Sequence, residues 1–257
     1  MKNLDENSKA IINIDDPNCL PLLEHIKGET ITFGINNENA TYNITNISFD
    51  KVGHPCFDIE NEKFGKHHFC LNIIGRHNIY NAAAAIIATY ETGIDVEYIK
   101  NAISKYKNLH RRMEVYGVIG NGKKATILTD YGHHPKEIKS CLSSIAEHKE
   151  GRLVCIFQPH TYSRTKALLN DFAKCFDDCD EVIVTEIYAA REKFDPTIHS
   201  IDLVEKLNKN GVNAIYLKTF EEARDYIFET FKDKDTIITT GCGNPHELAR
   251  MIVEDYK

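Results

Sequence analysis

Polar clusters in the second half of the chain hold the residue types that bind and transfer anionic groups. Asp130-Tyr131-Gly132-His133-His134-Pro135 follows the apolar run Ala125–Leu128, and Gln158-Pro159-His160-Thr161-Tyr162-Ser163-Arg164-Thr165 follows Leu153–Phe157. Tyr188-Ala189-Ala190-Arg191-Glu192 comes after Val182–Val184, and Gly241-Cys242-Gly243-Asn244-Pro245-His246 after Thr236–Ile238. Arg164 offers a planar fork suited to phosphate or carboxylate oxygens. Ser163 and Thr165 add hydroxyls at a helix start, where backbone amides favour an anion. His133 and His134 could assist proton transfer, or bind phosphate if protonated. Asp130 could accept from ribose hydroxyls, and Pro135 is pre-organised to open the next helix. Adjacent histidines rarely chelate one ion, and no supporting carboxylate is expected at helical spacing. No metal-ligand set is therefore read here.

Earlier segments add candidates. Gly75-Arg76-His77-Asn78 with Asn81 sits at a strand-to-helix turn. Asn78 and Asn81 share a helix face, and their amides could meet an adenine edge or serve as a helix cap. Arg111-Arg112 precedes a strand. Neighbouring strand side chains point opposite ways, so one arginine reaches a given site while the other is solvated or bridges domains. Gly241-x-Gly243 reads as a tight turn. Gly120-Asn121-Gly122-Lys123-Lys124 lacks phosphate-loop spacing and reads as a hairpin turn.

Positioning these groups takes a regular scaffold. Beyond a seam at Lys105–Leu109, a hairpin of Met113–Val118 and Ala125–Thr129 leads into alternating elements. Helices are expected near Lys136–His148, Lys166–Phe176, Ser200–Asn208, Glu221–Phe231 and His246–Asp255. Strands are expected at Leu153–Phe157, Glu181–Thr185, Ala214–Leu217 and Thr236–Thr240. Helical crossovers imply parallel strands covered on both faces, with ligands bound outside their carboxyl ends. Before the seam come strands at Lys9–Ile14, Glu29–Phe33, Thr41–Phe49, Cys56–Ile59 and His67–Ile73. A turn at 52–55 and a short helix near Cys19–His25, opened by Asp16-Pro17, lie among them. Helices at Ile79–Thr92 and Val96–Tyr106 follow. The expected domains are 1–108 and 109–257.

Composition narrows the function. The chain has 257 residues and a formal charge of −7 without a basic stretch, which disfavours nucleic acid. No apolar run is long enough to span a membrane, and the first residues carry no secretion signal, so a cytoplasmic protein is expected. The eight scattered cysteines are expected to stay reduced; Cys56 and Cys70 could bridge only in an oxidising compartment.

Together these segments resemble the Mur ligase family. Thr129–Pro135, T-D-Y-G-H-H-P, and Phe157–Thr165, F-Q-P-H-T-Y-S-R-T, are similar to two of its motifs. Gly75–Asn81, Arg111–Glu114 and Ile187–Glu192 are similar to others, and Asn13–Pro17 with Thr30–Gly34 resembles the end of its central domain. The resemblance implies an α/β fold: part of the central domain, then a Rossmann-like, doubly wound domain with a mostly parallel sheet. It implies ATP-dependent, ADP-forming amide-bond synthesis in the making of peptidoglycan precursors. The F-Q-P-H-T-Y-S-R-T segment points to members that join L-alanine to UDP-N-acetylmuramate through an acyl phosphate.

By the same resemblance, His77, Asn78 and Asn81 contact adenine, Arg112 the ATP phosphates and Asp130 the ribose. Tyr131, His160 and Arg164 face substrate, with His133, His160 and Arg164 catalytic. Thr129 replaces the first aspartate of the family's D-D pair, and Gly241-Cys242-Gly243-Asn244 stands where G-A-G-D is frequent. The UDP-holding first domain, and the Gly-rich loop, lysine and Mg²⁺ ligands of the central domain, have no counterpart. The expectation is a fragment inactive alone, whose first segment starts within a sheet and leaves a strand edge exposed.

Overall fold

Apolar runs and alternation early in the chain become β1 (Lys9–Asn13), β2 (Glu29–Ile35), β3 (Tyr42–Phe49), β4 (Pro55–Asn61) and β5 (Gly65–Cys70). In this computed structural model, which describes residues 5–50, 53–107 and 109–256, they form one sheet in that order. β1, β2 and β3 pair in parallel, while β3, β4 and β5 pair antiparallel. The β4–β5 turn is set by Asn61, whose Oδ1 accepts from Lys63 N at 3.0 Å. Gly65 takes φ 78° there, so β5 starts before the expected His67.

Two helices follow, α1 (His77–Glu91) and α2 (Val96–Lys105). Ile79, Ala83, Ile86 and Ile87 recur at helical spacing and are fully buried against Phe33, Ile44, Phe57 and Ile59. Gly93, at φ 92°, follows the end of α1. Asp95 caps α2 by accepting from Glu97 N at 2.9 Å. The helix expected to open at Asp16-Pro17 is a 3₁₀ turn over Leu20–His25, with Pro21 in its first turn. Asp16 instead closes a local turn by accepting from Asn18 N at 2.9 Å.

The expectation that every cysteine stays reduced fails at Cys56 and Cys70. Strand register sets them directly opposite in the β4–β5 pair, and they form a disulfide with a Cα–Cα distance of 4.1 Å. Cys141, Cys155 and Cys175 are buried thiols.

The chain divides after Lys107 into two compact units. The second holds β6 (Glu114–Ile119), β7 (Ala125–Asp130), β8 (Leu153–Phe157), β9 (Glu181–Val184), β10 (Ala214–Tyr216) and β11 (Asp235–Thr240). Their order is β10-β9-β8-β11-β7-β6. All pairings are parallel except the β6–β7 hairpin. The helices are α3 (Pro135–Ala146), α4 (Tyr162–Ala167), α5 (Leu169–Phe172), α6 (Ser200–Lys209), α7 (Phe220–Thr230) and α8 (Pro245–Asp255).

β8 is buried throughout, so both faces of the sheet are covered. Val154 and Ile156 join Ile127, Ile183 and Ile237 under Ile227 of α7 and Leu248 and Ile252 of α8. On the other face Phe157 packs against Phe172 and Phe176 at ring distances of 5.3 Å. Each such buried side chain contributes about 1.5–3 kcal/mol of hydrophobic stabilisation. Asp235, 1 % exposed, starts β11 and pairs with Arg152 at 2.6 Å.

The helix expected over Lys166–Phe176 is two short ones. Thr161 caps the chain earlier, its Oγ1 accepting from Arg164 N at 3.4 Å, so helix begins at Tyr162. Leu168, with φ −107° and ψ 13°, separates α4 from α5.

Candidate active site

Parallel pairing of β7, β8, β9 and β11 brings their following loops to one edge of the second unit's sheet. Because β6 runs antiparallel, with Glu114 opposite Thr129, its leading residues Arg111 and Arg112 reach the same edge. The polar clusters therefore converge at the place where open α/β sheets hold ligands.

The β7 loop is built around Asp130. Its carboxylate is 4 % exposed; one oxygen accepts from Gly132 N at 2.6 Å and the other from Met113 N at 3.0 Å. A Cβ on Gly132 would lie 2.7 Å from that carboxylate, so the approach requires glycine. Each Asp130 oxygen thus holds one backbone amide, and a carboxylate has lone pairs to spare for a further donor. Asp130→Ala is expected to destabilise the second unit by about 1–3 kcal/mol, leaving buried amides unsatisfied. Thermal unfolding checks this; an unchanged midpoint would remove the anchoring role.

The neighbouring histidines differ in role. His134 is the N-cap of α3, its Nδ1 accepting from Lys136 N at 3.3 Å. Glu137 completes the capping box. His133 turns inward. Its Nδ1 lies 3.1 Å from Tyr131 O and 3.5 Å from Glu137 Oε2. The expectation that no carboxylate supports this pair is wrong, because Glu137 stands one helical turn beyond His133. No metal cluster forms at this edge among the described residues.

The expected division of the arginine pair by strand alternation does not occur: both residues precede β6 in a turn, with Arg111 at φ 63°, and both guanidiniums face the Tyr131 ring. Arg111 Nη2 donates to Gly241 O at 3.1 Å and Gly243 O at 2.8 Å, clamping the β11 loop. Its guanidinium lies 4.7 Å from the Tyr131 ring centroid, with that of Arg112 at 5.4 Å. Arg111 is thus a positioning residue.

From β8, Gln158 is 7 % exposed and accepts from Asn244 N at 3.1 Å. A Cβ on Gly243 would sit 2.3 Å from Gln158 Oε1. Arg164 Nη1 lies 3.7 Å from Cys242 Sγ. The His160 and Tyr188 rings are 5.6 Å apart, and Thr161 N donates to Tyr188 O at 2.9 Å. Ser163 donates through backbone N to Glu192 at 2.9 Å and through its hydroxyl as well. Gln158, Tyr188 and Glu192 thus join the β8 loop to its neighbours. Their presence in polar clusters at strand ends was the available signal.

Burial, followed by the charges of Arg164 and His133, holds the His160 pKa below its ordinary 6.5. His160 Nδ1 is buried without a hydrogen-bond partner, as are Arg111 Nε, Asn244 Oδ1 and His246 Nδ1. Buried orphans gathered at one edge are the expected mark of a ligand site. Backbone strain gathers there too: Arg111, Met113, Thr161 and Ala190 have φ between 44° and 64°.

A depressed histidine pKa means that unfolding takes up a proton between the folded value and 6.5. The stability from neutral His160 is full above 6.5 and is lost as pH falls through the folded value. An NMR titration is expected to place the His160 midpoint below 6.5. A midpoint at or above that value would show that burial does not dominate.

The expected adenine-contact residues belong to the first unit. His77 opens α1. Asn78 is 8 % exposed; its Nδ2 donates to Ile74 O at 2.8 Å, and its Oδ1 accepts from Asn81 at 3.2 Å. Arg76, rather than Asn78, is the N-cap. Asn78 therefore ties the turn to the helix, while Asn81 is exposed.

Fold and edge define a Rossmann-like module with polar and basic side chains gathered at one sheet edge, preceded by a mixed-sheet α/β unit. Residues 1–89 match the Mur ligase middle domain and residues 111–243 the Mur ligase glutamate ligase domain; the chain belongs to the Mur ligase family. It is 40 % identical over 243 residues to the UDP-N-acetylmuramate–L-alanine ligase of Caldanaerobacter subterraneus subsp. tengcongensis, covering 95 % of this chain and 52 % of that protein. The UDP-N-acetylmuramate-alanine ligase MurC of Thermotoga maritima superposes with a TM-score of 0.72 at 25 % identity, over 88 % of this chain and 47 % of that one. The MurF ligase of Thermotoga maritima, solved in complex with ADP, shares the fold with a TM-score of 0.71 at 14 % identity, over 98 % of this chain and 54 % of its own. The chain spans about half the length of the curated relatives it matches.

Proposed function

We propose that this chain supplies the carboxyl-terminal half of an ATP-dependent ligase joining L-alanine to UDP-N-acetylmuramate. The observation that carries this reading is the convergence of Tyr131, His133, His160 and Arg164 on one sheet edge, in a chain 40 % identical to a ligase of that name. ATP would phosphorylate the lactyl carboxylate, and the alanine amine would displace phosphate from the acyl phosphate. That chemistry needs positive charge held against crowded anions. Arg164 would stabilise the acyl phosphate and the tetrahedral oxyanion, and Arg112 the ATP phosphates. Neutral His160 would take the proton lost by the attacking amine, with His133 beside it. His77 and Asn81 would border adenine. Asn78 would join them there and Asp130 would accept from the ribose, each while holding its own loop.

The hard oxygen set that Mg²⁺ requires does not fit the donors here. The group of potential metal ligands found among the described residues is Cys56, His68 and Cys70, whose sulfur and nitrogen donors suit other ions. Mg²⁺ ligands would therefore come from elsewhere in the ligase.

Phosphate release from ATP tests the reading, with UDP-N-acetylmuramate and L-alanine, on this chain alone and joined to the preceding half of a relative. Alanine-dependent release is expected from the joined protein alone. Its absence there would favour a nucleotide- or muropeptide-binding module without catalysis. Turnover by this chain alone would show that the site is complete without the other half.

A further inference from the structure

The β4–β5 pair carries a cluster that the ligase reaction does not use. Its register puts Cys56 opposite Cys70 and Asp58 opposite His68, so all four side chains project from one face of the sheet. The Cys56, Cys70 and His68 ligand atoms lie within 4.8 Å of one another. His68 Nε2 is 3.5 Å from Cys70 Sγ. With zinc–sulfur and zinc–nitrogen bonds of about 2.3 and 2.0 Å, two ligands of one tetrahedral ion lie roughly 3.5 Å apart.

The second observation concerns the other ring nitrogen. His68 Nδ1 lies 2.6 Å from Asp58 Oδ1. Asp58 is 8 % exposed and is held by Asn46 Nδ2 at 2.7 Å and Lys66 Nζ at 3.4 Å. A carboxylate on the far nitrogen fixes the tautomer and leaves Nε2 as a lone-pair donor, the arrangement that orients metal-binding histidines. His68 and Cys70 are exposed, which gives an ion a way in and leaves a fourth position for water.

We propose that, with the Cys56–Cys70 disulfide reduced, Cys56, Cys70 and His68 bind one thiophilic divalent cation of the zinc class, with Asp58 positioning His68. The disulfide and the metal-bound form exclude each other, since a sulfur in the disulfide cannot serve as a thiolate ligand. Interconversion balances simply. An external dithiol gives two electrons and two protons to the disulfide and becomes a disulfide itself. The two thiols formed on Cys56 and Cys70 then release their protons as the ion binds.

The test uses the 257-residue chain, reduced with excess dithiol and desalted without oxygen. Co²⁺ is the spectroscopic probe, and Zn²⁺ is titrated against a chromophoric chelator. Expected are one ion per chain, a thiolate-to-cobalt charge-transfer band and intense visible bands of tetrahedral Co²⁺. Cys56→Ser and Cys70→Ser should each abolish the charge-transfer spectrum or weaken binding by more than ~100-fold. His68→Ala and Asp58→Asn should each weaken it ~10–100-fold. His68 is exposed, so its variant should remain folded, which circular dichroism verifies. The oxidised chain should take no ion. The proposal is overturned if the reduced chain shows no such spectrum, if the spectrum survives both serine variants, or if oxidised and reduced chains bind equally.

Discussion

Arg164→Ala, in a full-length ligase carrying these residues, is expected to lower kcat/KM for alanine-dependent phosphate release by roughly 10²–10³. That is the usual cost of removing one donor to a developing anion. The guanidinium stands in the first helical turn after Thr161, partly exposed, with Cys242 Sγ as a weak neighbour at 3.7 Å. Little of the fold depends on it, so the thermal midpoint should stay close to wild type. Lysine at this position should recover only part of the activity, because an ammonium keeps the charge but lacks the fork. Steady-state kinetics and a melting curve on the same samples decide the matter. A variant that unfolds with activity loss in proportion would place Arg164 in the scaffold.

Arg152→Ala is expected to destabilise the second unit by about 3 kcal/mol, the lower end of the cost of breaking a buried ion pair. The lower end applies because the Arg152 side chain is 25 % exposed while Asp235 is fully enclosed. Arg152 reaches Asp235 through Nη2 at 2.6 Å and Nε at 3.2 Å, and Thr230 O at 3.0 Å. Its loss leaves Asp235 with the amides of Lys232 at 2.7 Å and of residue 152 itself at 3.2 Å. Those contacts soften the penalty without removing it. Urea unfolding followed by circular dichroism measures the effect. Arg224→Ala, which removes surface pairs with Asp225 and Asp255, is the control and should leave the midpoint nearly unchanged.

The scaffold was legible wherever burial imposes a period. The apolar run Leu153–Phe157 has the same bounds as β8, because a strand buried on both faces needs consecutive apolar residues. The Gly120–Gly122 hairpin was legible from its turn residues, and it brings Arg111 and Arg112 to the edge. Residue roles were harder to read. Arg111 and Arg112 are chemically identical in sequence; the carbonyls of Gly241 and Gly243 separate them, and these lie 130 and 132 positions away. The backbone-anchoring role of Asp130 shows only once its two amide donors, from Gly132 and Met113, are placed. The Cys56–Cys70 bond depends on register, which a separation of 14 residues does not reveal. Thr161 shifts a helix start through a local cap and a φ of 64° that no periodicity encodes.

β11, the last strand among the described residues, lies between β7 and β8. During synthesis the β7 and β8 segments emerge long before the strand that joins them, so their loops cannot assume their final spacing until residues 235–240 have left the ribosome. Sheet completion is a late, long-range event, and chains of this topology pass through a state with two open edges. A chain interrupted ahead of β11 would therefore keep unpaired edges on β7 and β8, the kind of surface that templates aggregation.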